Sequence, residues 1–441
     1  MADCKQLIEI GRRAVELSSA DETEVVLTGG GTNLTRFANN TIHQNVTRAD
    51  LTLRVRAIVG KRVGVATTND SSDDAMKRCV DAATEIARAS EENPDLLPLP
   101  GPAQYAEVET ETGESATFSP EQRAEAVGQI IAVAEENSLV ASGAFATGPN
   151  EFAVANSNGV AAAAVEAGAD LNITMTGETS TGRATATVMN VAEIDAAESA
   201  RVAARKAVDS ADPVDVEPGE YTVILEEDAV GDMVSFLGYM GLGGKSFVEQ
   251  RSFMCGRIGE RVCGENVTIL DDGHDSRLYP MPFDFEGVPR QTVTVIDSGI
   301  AKAVVHDRAT AAEAGVEGTG HAIPPPATWG PFPMHLKLAC GDATVDEMVA
   351  STERGLYVTR FHYTNIAHPL RTEITGMTRD GTFLIENGEI TKGVKNLRFT
   401  QSILAAFSEI NMIGATPRIA EGVLVPALKV NKFRFSGATE F

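Results

Sequence analysis

The segment Glu227-Asp228-Ala229-Val230-Gly231-Asp232 carries three carboxylates. They stand at the spacing of the zinc-peptidase pattern H-E-x-x-x-H. In that pattern two neutral imidazoles hold the metal and the glutamate acts as general base on a metal-bound water. Here Glu227 and Asp232 occupy the histidine places and Asp228 that of the base. Carboxylates are hard oxygen donors, better suited to Mg²⁺ or Ca²⁺ than to zinc. On a straight helix Glu227 and Asp232 are about 500° apart and share no face, whereas Asp228 and Asp232 do. Gly231 offers a point at which a bend could bring the outer pair together. The commoner use of acids in the first turn of a helix is to complement its dipole, with no metal involved.

Other constellations are weaker. Gly238-Tyr239-Met240-Gly241-Leu242-Gly243-Gly244-Lys245-Ser246 looks like a phosphate-binding loop. However, Tyr239 takes the place of the first required glycine and a helix, not a strand, precedes it. His362 and His368 are six apart and could meet across a turn. His306-Asp307 and His274-Asp275 could each be an oriented base, but no nucleophile motif accompanies them. The five cysteines, Cys4, Cys79, Cys255, Cys263 and Cys340, are odd in number and scattered. They fit neither a disulfide framework nor a zinc knuckle, and suit idle thiols in a reducing cytoplasm. Only Cys255 and Cys263 are close in sequence, and no third ligand lies near them.

The chain has 37 basic and 62 acidic residues, a formal net charge of -25. Nucleic-acid binding depends on Lys and Arg displacing phosphate counterions, so this balance with no basic patch argues against it. The balance favours solubility instead. No apolar run approaches the length of a membrane span, and the first residues, Met1-Ala2-Asp3-Cys4-Lys5, do not read as a secretory signal. Hydrophobic content of 43% is ordinary for a globular protein.

The length predicts two or three domains. Residues 1–215 read as an N-terminal α+β domain in which one helix-strands-helix unit is used twice, over about residues 1–92 and 115–212. In the first unit Leu7, Ile10, Ala14 and Leu17 share a helical face, and Met76, Cys79, Val80, Ala83 and Ile86 line the closing helix. In the second, Ser119, Pro120 and Gln122 form a capping box ahead of Val127, Ile130, Ile131 and Ala134. Its closing helix is lined by Ile194, Ala197, Ala200, Ala204 and Val208. Between helices, Phe37-Ala38-Asn39-Asn40 matches Val154-Ala155-Asn156-Ser157, and Asp50-Leu51 matches Asp170-Leu171. The Asn-rich segments are turns, since Asn and Gly tolerate left-handed backbone. Residues 93–114, rich in Pro and acids, connect the units.

Residues 216–441 read as a β-rich, mostly antiparallel C-terminal domain. A strand over Tyr221–Leu225 leads into the acidic motif and a helix through Leu237. After Gly238 short strands are expected, with turns at Asp271-Asp272-Gly273 and Asp297-Ser298-Gly299 and an exposed loop at Pro324-Pro325-Pro326. The clearest hairpin is Thr382–Ile390, with Asn387-Gly388 at its tip. The fold class is therefore α+β: a duplicated N-terminal half followed by a β-rich C-terminal domain.

Several long segments carry a resemblance to the TldD/PmbA (TldE) family, once called modulators of DNA gyrase. They are Glu227 to Asp232, Pro282-Phe283-Asp284-Phe285-Glu286-Gly287-Val288-Pro289, Glu353 to Phe361, Gly376-Met377-Thr378-Arg379-Asp380-Gly381-Thr382-Phe383, and Lys395 to Thr400. The duplicated first half fits the same family. The resemblance implies a cytoplasmic protein that dimerises around an internal chamber. In the active branch, two histidines and a C-terminal cysteine bind zinc, the motif glutamate is the base, and unfolded peptides are cleaved. Here Glu227, Asp228 and Asp232 replace the motif residues and no cysteine follows Cys340. The chain therefore looks like the PmbA/TldE branch. No catalytic or metal-binding residue and no cofactor is expected in this chain, and zinc only in a partner subunit. The implied role is a non-catalytic subunit of a peptidase complex, in a homodimer or in a heterodimer with a TldD-like subunit, holding unfolded peptide. The alternatives are an autonomous peptidase using carboxylate ligands and a regulatory binding protein acting on a topoisomerase. No nucleic acid or membrane is expected as a partner.

Overall fold

The computed structural model describes residues 3–108 and 112–439. Part of the 93–114 connector and the first two residues of the N-terminal segment thus lie outside the described residues. The first half contains α1 (Cys4–Glu16), β1 (Glu22–Ala38), β2 (Thr41–Val59), β3 (Arg62–Thr68) and α2 (Asp73–Ala89). The same order then recurs as α3 (Pro120–Glu136), β4 (Val140–Asn156), β5 (Ala161–Thr176), β6 (Thr181–Val188) and α4 (Ala196–Asp209). The strands form one antiparallel sheet in the order β3-β2-β1-β4-β5-β6. The two units therefore meet at β1 and β4, and the sheet repeats outward from that seam in mirror order.

Local chemistry explains these elements. Ser119 and Gln122 make both bonds of the capping box, with Pro120 opening α3. Asn39 and Asn40 have φ of 52° and 55°, the two left-handed residues a tight hairpin turn requires. α1 and α2 bury Leu7, Met76 and Val80 against Leu27, Leu53 and Val55. α3 and α4 bury Val127, Ile130 and Ala200 against Phe145, Leu171 and Ile173. Two expected core residues are instead exposed, Ile86 at 46% and Val208 at 49%. Each stripe rotates slightly, so that Ala87 and Ala207 face inward, because small residues let these helices lie close to the sheet. Gly64 and Gly182 mark the same contact, since a Cβ at either would meet the helix backbone within 2.1 Å.

The second half contains β7 (Glu220–Leu225), α5 (Glu227–Leu237), α6 (Gly244–Val248), β8 (Ile269–Asp271), β9 (Val293–Asp297), β10 (Ile300–Ala301), α7 (Arg308–Ala314) and β11 (Leu336–Leu338). It continues with α8 (Val345–Ala350), β12 (Arg354–His368), β13 (Glu373–Glu386), β14 (Glu389–Gly393), β15 (Leu397–Ser402), α9 (Ile403–Ser408), β16 (Ile410–Ala420) and β17 (Val423–Ala438). Most pairings are antiparallel; β7 with β12 and β11 with β17 are parallel. β7 pairs with both β12 and β17, so β17-β15-β13-β12-β7 closes on itself. α5 leaves β7 directly and buries Ala229, Val230, Met233, Val234 and Leu237 completely in the core those strands enclose.

Several expectations change here. Residues 238–248 are helical rather than strands. The turn after β8 falls on Gly273 and His274, and Asp271 ends the strand. It is fully buried at the end of β8, bonded to His321 Nε2 at 2.8 Å and to the backbone N–H of His335 at 2.7 Å, with Arg290 Nη1 at 3.4 Å. Pro325 is buried within its loop. The Asn387-Gly388 turn stands as read, with φ of 54° and 81°.

The halves dock through the 282–289 segment. Phe283 and Phe285 pack on Phe152 and Val154, on the sheet face reached by the opposite alternation from Leu27 and Ala153. Arg56 ties Glu24 at 2.9 Å to Glu286 at 3.3 Å across the same contact.

Candidate functional site

The acidic motif forms the first turns of α5, and that turn faces the first half of the chain. Glu227 and Asp228 are the acids of the first turn, where they complement the helix dipole. Gly231 does not bend the helix; α5 runs unbroken from Glu227 to Leu237. Its role is close approach, since a Cβ there would lie 2.7 Å from the carbonyl oxygen of Ala420.

Arg418 on β16 sits on the carboxylates. Its Nε donates to Glu227 Oε2 at 3.0 Å, and its other terminal nitrogen lies 3.2 Å from Asp228 Oδ1. Nη1 donates to the backbone oxygen of Thr185 at 2.9 Å and to its hydroxyl at 2.8 Å. The Thr185 hydroxyl in turn lies 2.9 Å from Asp228. Although burial opposes its charge, Asp228 and Glu227 hold the Arg418 pKa above its ordinary value. A second ion pair lies beside the first. Lys206 on α4 donates to Glu226 at 2.7 Å, and the Tyr357 hydroxyl donates to the other oxygen of Glu226 at 2.5 Å. Burial, reinforced by Glu226, pushes the Tyr357 pKa well up.

Asp232 lies apart from this pair of clusters. It accepts from the Thr364 hydroxyl on β12 at 2.6 Å. Burial raises its pKa, and Asp228 adds to that rise. Glu227 and Asp232 thus have different partners on different strands, as their helical spacing requires.

A cleft of about 730 Å³ opens over the motif. α4 forms one wall through Val202 and Arg205; Ile390, Thr391 and Lys392 of β14 form the other, with Glu227 and Arg418 at the base. Among the described residues the strand partner of β14 is β13; on its outer side the Gly393 carbonyl accepts from the Val214 N–H at 2.9 Å, and residues 389–392 leave an edge towards this space.

These residues do not fit zinc. Among the described residues no group of three or more His, Cys, Asp or Glu side chains is arranged to hold a metal ion. The space between Glu227 and Asp228 is taken by a guanidinium. Sequence reasoning missed Arg418, Thr185, Lys206 and Tyr357. The one available signal was that Arg418 is the single charged residue in the strand Ile410–Ala420.

The other sequence candidates disperse. His362 lies against Tyr363 with ring centres 4.2 Å apart and the planes tilted by 43°. His306 bonds the Thr310 hydroxyl while Asp307 caps α7, and His274 lies near Asp272 rather than Asp275. None of these forms an oriented acid-base pair. Cys255 donates to the Phe247 carbonyl, whereas Cys263 is buried with its thiol pushed up to about 12. Lys245 donates to the Thr328 carbonyl, so the glycine-rich segment 238–246 is not a phosphate cradle.

Residues 218–437 match the family model described as PmbA/TldA metallopeptidase C-terminal domain, and residues 23–87 match PmbA/TldA metallopeptidase domain 1. The Metalloprotease TldD homolog of Haemophilus influenzae is 27% identical over 259 residues, 54% of this chain and 52% of that protein. The first curated relatives are matched over about half their length or less. The Metalloprotease PmbA homolog of the same organism is 22% identical over 88% of this chain and 86% of its own length. The crystal structure of TldE from Thermococcus kodakarensis has the same fold, with a TM-score of 0.87 at 21% identity over 99% of this chain and 100% of that one. A Thermotoga maritima structure, described as a candidate modulator of a DNA gyrase, also has a TM-score of 0.87, at 19% identity over 97% of this chain and 99% of its own.

Proposed function

The chain belongs to the PmbA/TldD metallopeptidase family, and from that membership we propose that it is a non-catalytic subunit of a peptidase complex. In this reading it works in the cytoplasm beside a TldD-like partner that carries the zinc, and its own cleft holds part of an unfolded peptide. Arg418 is the observation that carries the reading. A metal-dependent hydrolase needs a cation with an open coordination position to activate water. Arg418 supplies the positive charge but has no coordination position, and Glu227 and Asp228 are engaged by it. The outer edge of β14 over residues 389–392 supports peptide holding, since an exposed edge accepts an extended chain through main-chain hydrogen bonds.

The test is a Glu227→Ala variant mixed with a TldD-like partner from the same source. Assembly and peptide hydrolysis within about twofold of the unaltered complex are expected. Loss of hydrolysis with assembly intact would refute the reading. Elemental analysis of the purified chain after exposure to zinc and manganese gives a second check. Near-stoichiometric retained metal would instead favour an autonomous enzyme.

A further inference from the structure

A second cleft between the halves has no role in the reading above, and its chemistry differs from that of the first. It measures about 710 Å³ and lies between residues 176–181 and 210–213 of the first half and residues 379–382 and 394–396 of the second. Its inner wall is a β-bulge. Val358 pairs with Thr382 and Arg360 with Arg379, so Asp380 and Gly381 together oppose the single residue Thr359. Their φ values, 56° and 119°, accommodate the extra residue. Bulges of this kind re-aim side chains and leave ladder groups unpaired.

The bulge sets Arg360 and Arg379 opposite one another. Like charges at such a position repel. One carboxylate serves both: Asp380, 3% exposed, is hydrogen-bonded by Arg360 at 2.6 Å and lies 3.8 Å from Arg379. Arg183 on β6 adds a third guanidinium. Among the described residues its buried Nε has no hydrogen-bond partner, and burial and Arg360 together pull its pKa down. Asp228 and Glu421 act on Arg183 through space, but Asp228 is already held by Arg418 and Thr185. Burial, then the same three arginines, lowers the His362 pKa, which disfavours a further positive charge on that ring. At ion-pair distance among the described residues, the three guanidinia have one carboxylate, Asp380, while Asp228, Asp232 and Glu421 act on Arg183 or Arg360 at longer range. Two hydroxyls beside it, Thr359 Oγ1 and Thr382 Oγ1, are also without partners, in residues 1% and 2% exposed. Of these Thr382 lines the cleft. At the rim Lys395 is held by Asp215 at 3.0 Å, and Glu178 and Asp212 face solvent.

We propose that this second cleft binds a carboxylate group of a peptide, with Arg379 as the direct contact, the Thr382 hydroxyl as an added donor, and Arg360 and Arg183 as supporting charge. A guanidinium offers two parallel N–H donors that match a carboxylate, and an unsatisfied buried hydroxyl gains by donating to it. The carboxylate is either a peptide C-terminus or an acidic side chain. The proposal deepens the peptide-holding role and rests on that reading for the identity of its ligand.

Fluorescence anisotropy of the full chain with labelled unstructured peptides separates the cases. One peptide has a free C-terminus and no acidic residue, a second is its C-terminal amide, and a third is the amide with one internal glutamate. Binding of the first, at least about tenfold weaker for the amide, assigns a C-terminus. Recovery by the third alone assigns an acidic side chain. In either case Arg379→Gln abolishes the difference and Arg379→Lys restores part of it. Equal binding of all three peptides, unmoved by Arg379→Gln, overturns the carboxylate site and leaves peptide holding intact. If no peptide binds, peptide holding fails, and a titration with acetate alone, followed by NMR of arginine Nε–H signals, decides the site. Acetate-dependent shifts lost in Arg379→Gln support it. Absent shifts, or shifts with inorganic phosphate only, overturn it.

Discussion

At the level of single residues, Arg418 has the largest consequence. Removing one partner of a mostly buried charge cluster leaves the others uncompensated. Arg418→Met is expected to cost about 3 kcal/mol of stability at pH 7.5, measured by denaturant unfolding. A cost below about 0.5 kcal/mol would mean that the carboxylates have other partners. His335 gives a prediction of defined sign. Its Nδ1 accepts from Arg290 at 2.9 Å, so Nε2–H donates to the Tyr279 carbonyl at 3.0 Å and the ring is neutral. Burial, then Arg290, lowers its pKa from 6.5 to about 4. The unfolded chain binds this proton first as pH falls, so the contribution is full above about 6.5 and is lost between 6.5 and 4, about 3 kcal/mol in all. His335→Gln keeps one acceptor and one donor but cannot titrate. Its unfolding free energy is expected to fall less than that of the unaltered chain over that window; parallel curves would contradict the assignment.

At the level of elements, the seam between β1 and β4 is the most constrained feature. Gly30 and Gly148 have φ of 140° and 156°, and a Cβ at Gly148 would lie 1.8 Å from the Gly31 carbonyl oxygen. Gly148→Ala is therefore expected to destabilise the chain by more than about 2 kcal/mol, whereas Gly128→Ala, with nothing within 4 Å on a helix, stabilises it slightly. Thermal unfolding of the two variants checks this. Much of this level was legible in the sequence because its signals are local. The capping box of α3, the Asn39-Asn40 turn and the Asn387-Gly388 hairpin each follow from short-range backbone chemistry. Ile86 and Val208 were misplaced because alanine-rich helices carry little contrast between faces. Residues 238–248 were misjudged because their glycines serve close packing, as at Gly244 beside His306, rather than turns between strands. The motif carboxylates were visible, but their partners were not. Arg418 lies 191 positions from Glu227, and no local pattern reports such a distance.

At the level of the whole molecule, the two halves are joined by charge on one side and by aromatic packing on another. Thr185, Lys206 and Arg418 bring β6, α4 and β16 onto the start of α5. Phe283 and Phe285 bring the second half onto Phe152. The motif residues that would bind metal in an active relative here join one half to the other. A guanidinium on the same chain as its carboxylates never dissociates into the medium, so its local concentration does not depend on supply. Under the proposed function, a chelator that strips zinc from a TldD-like partner has no metal to remove from this subunit. Its melting temperature is expected to stay within about 1 °C on adding chelator, a change below about 0.5 kcal/mol, while hydrolysis by the complex stops. A fall of several degrees would show that a metal also supports this fold. With the melting temperature unchanged, metal starvation would silence such a complex without dismantling this half of it, leaving a folded scaffold ready to be recharged when the ion returns.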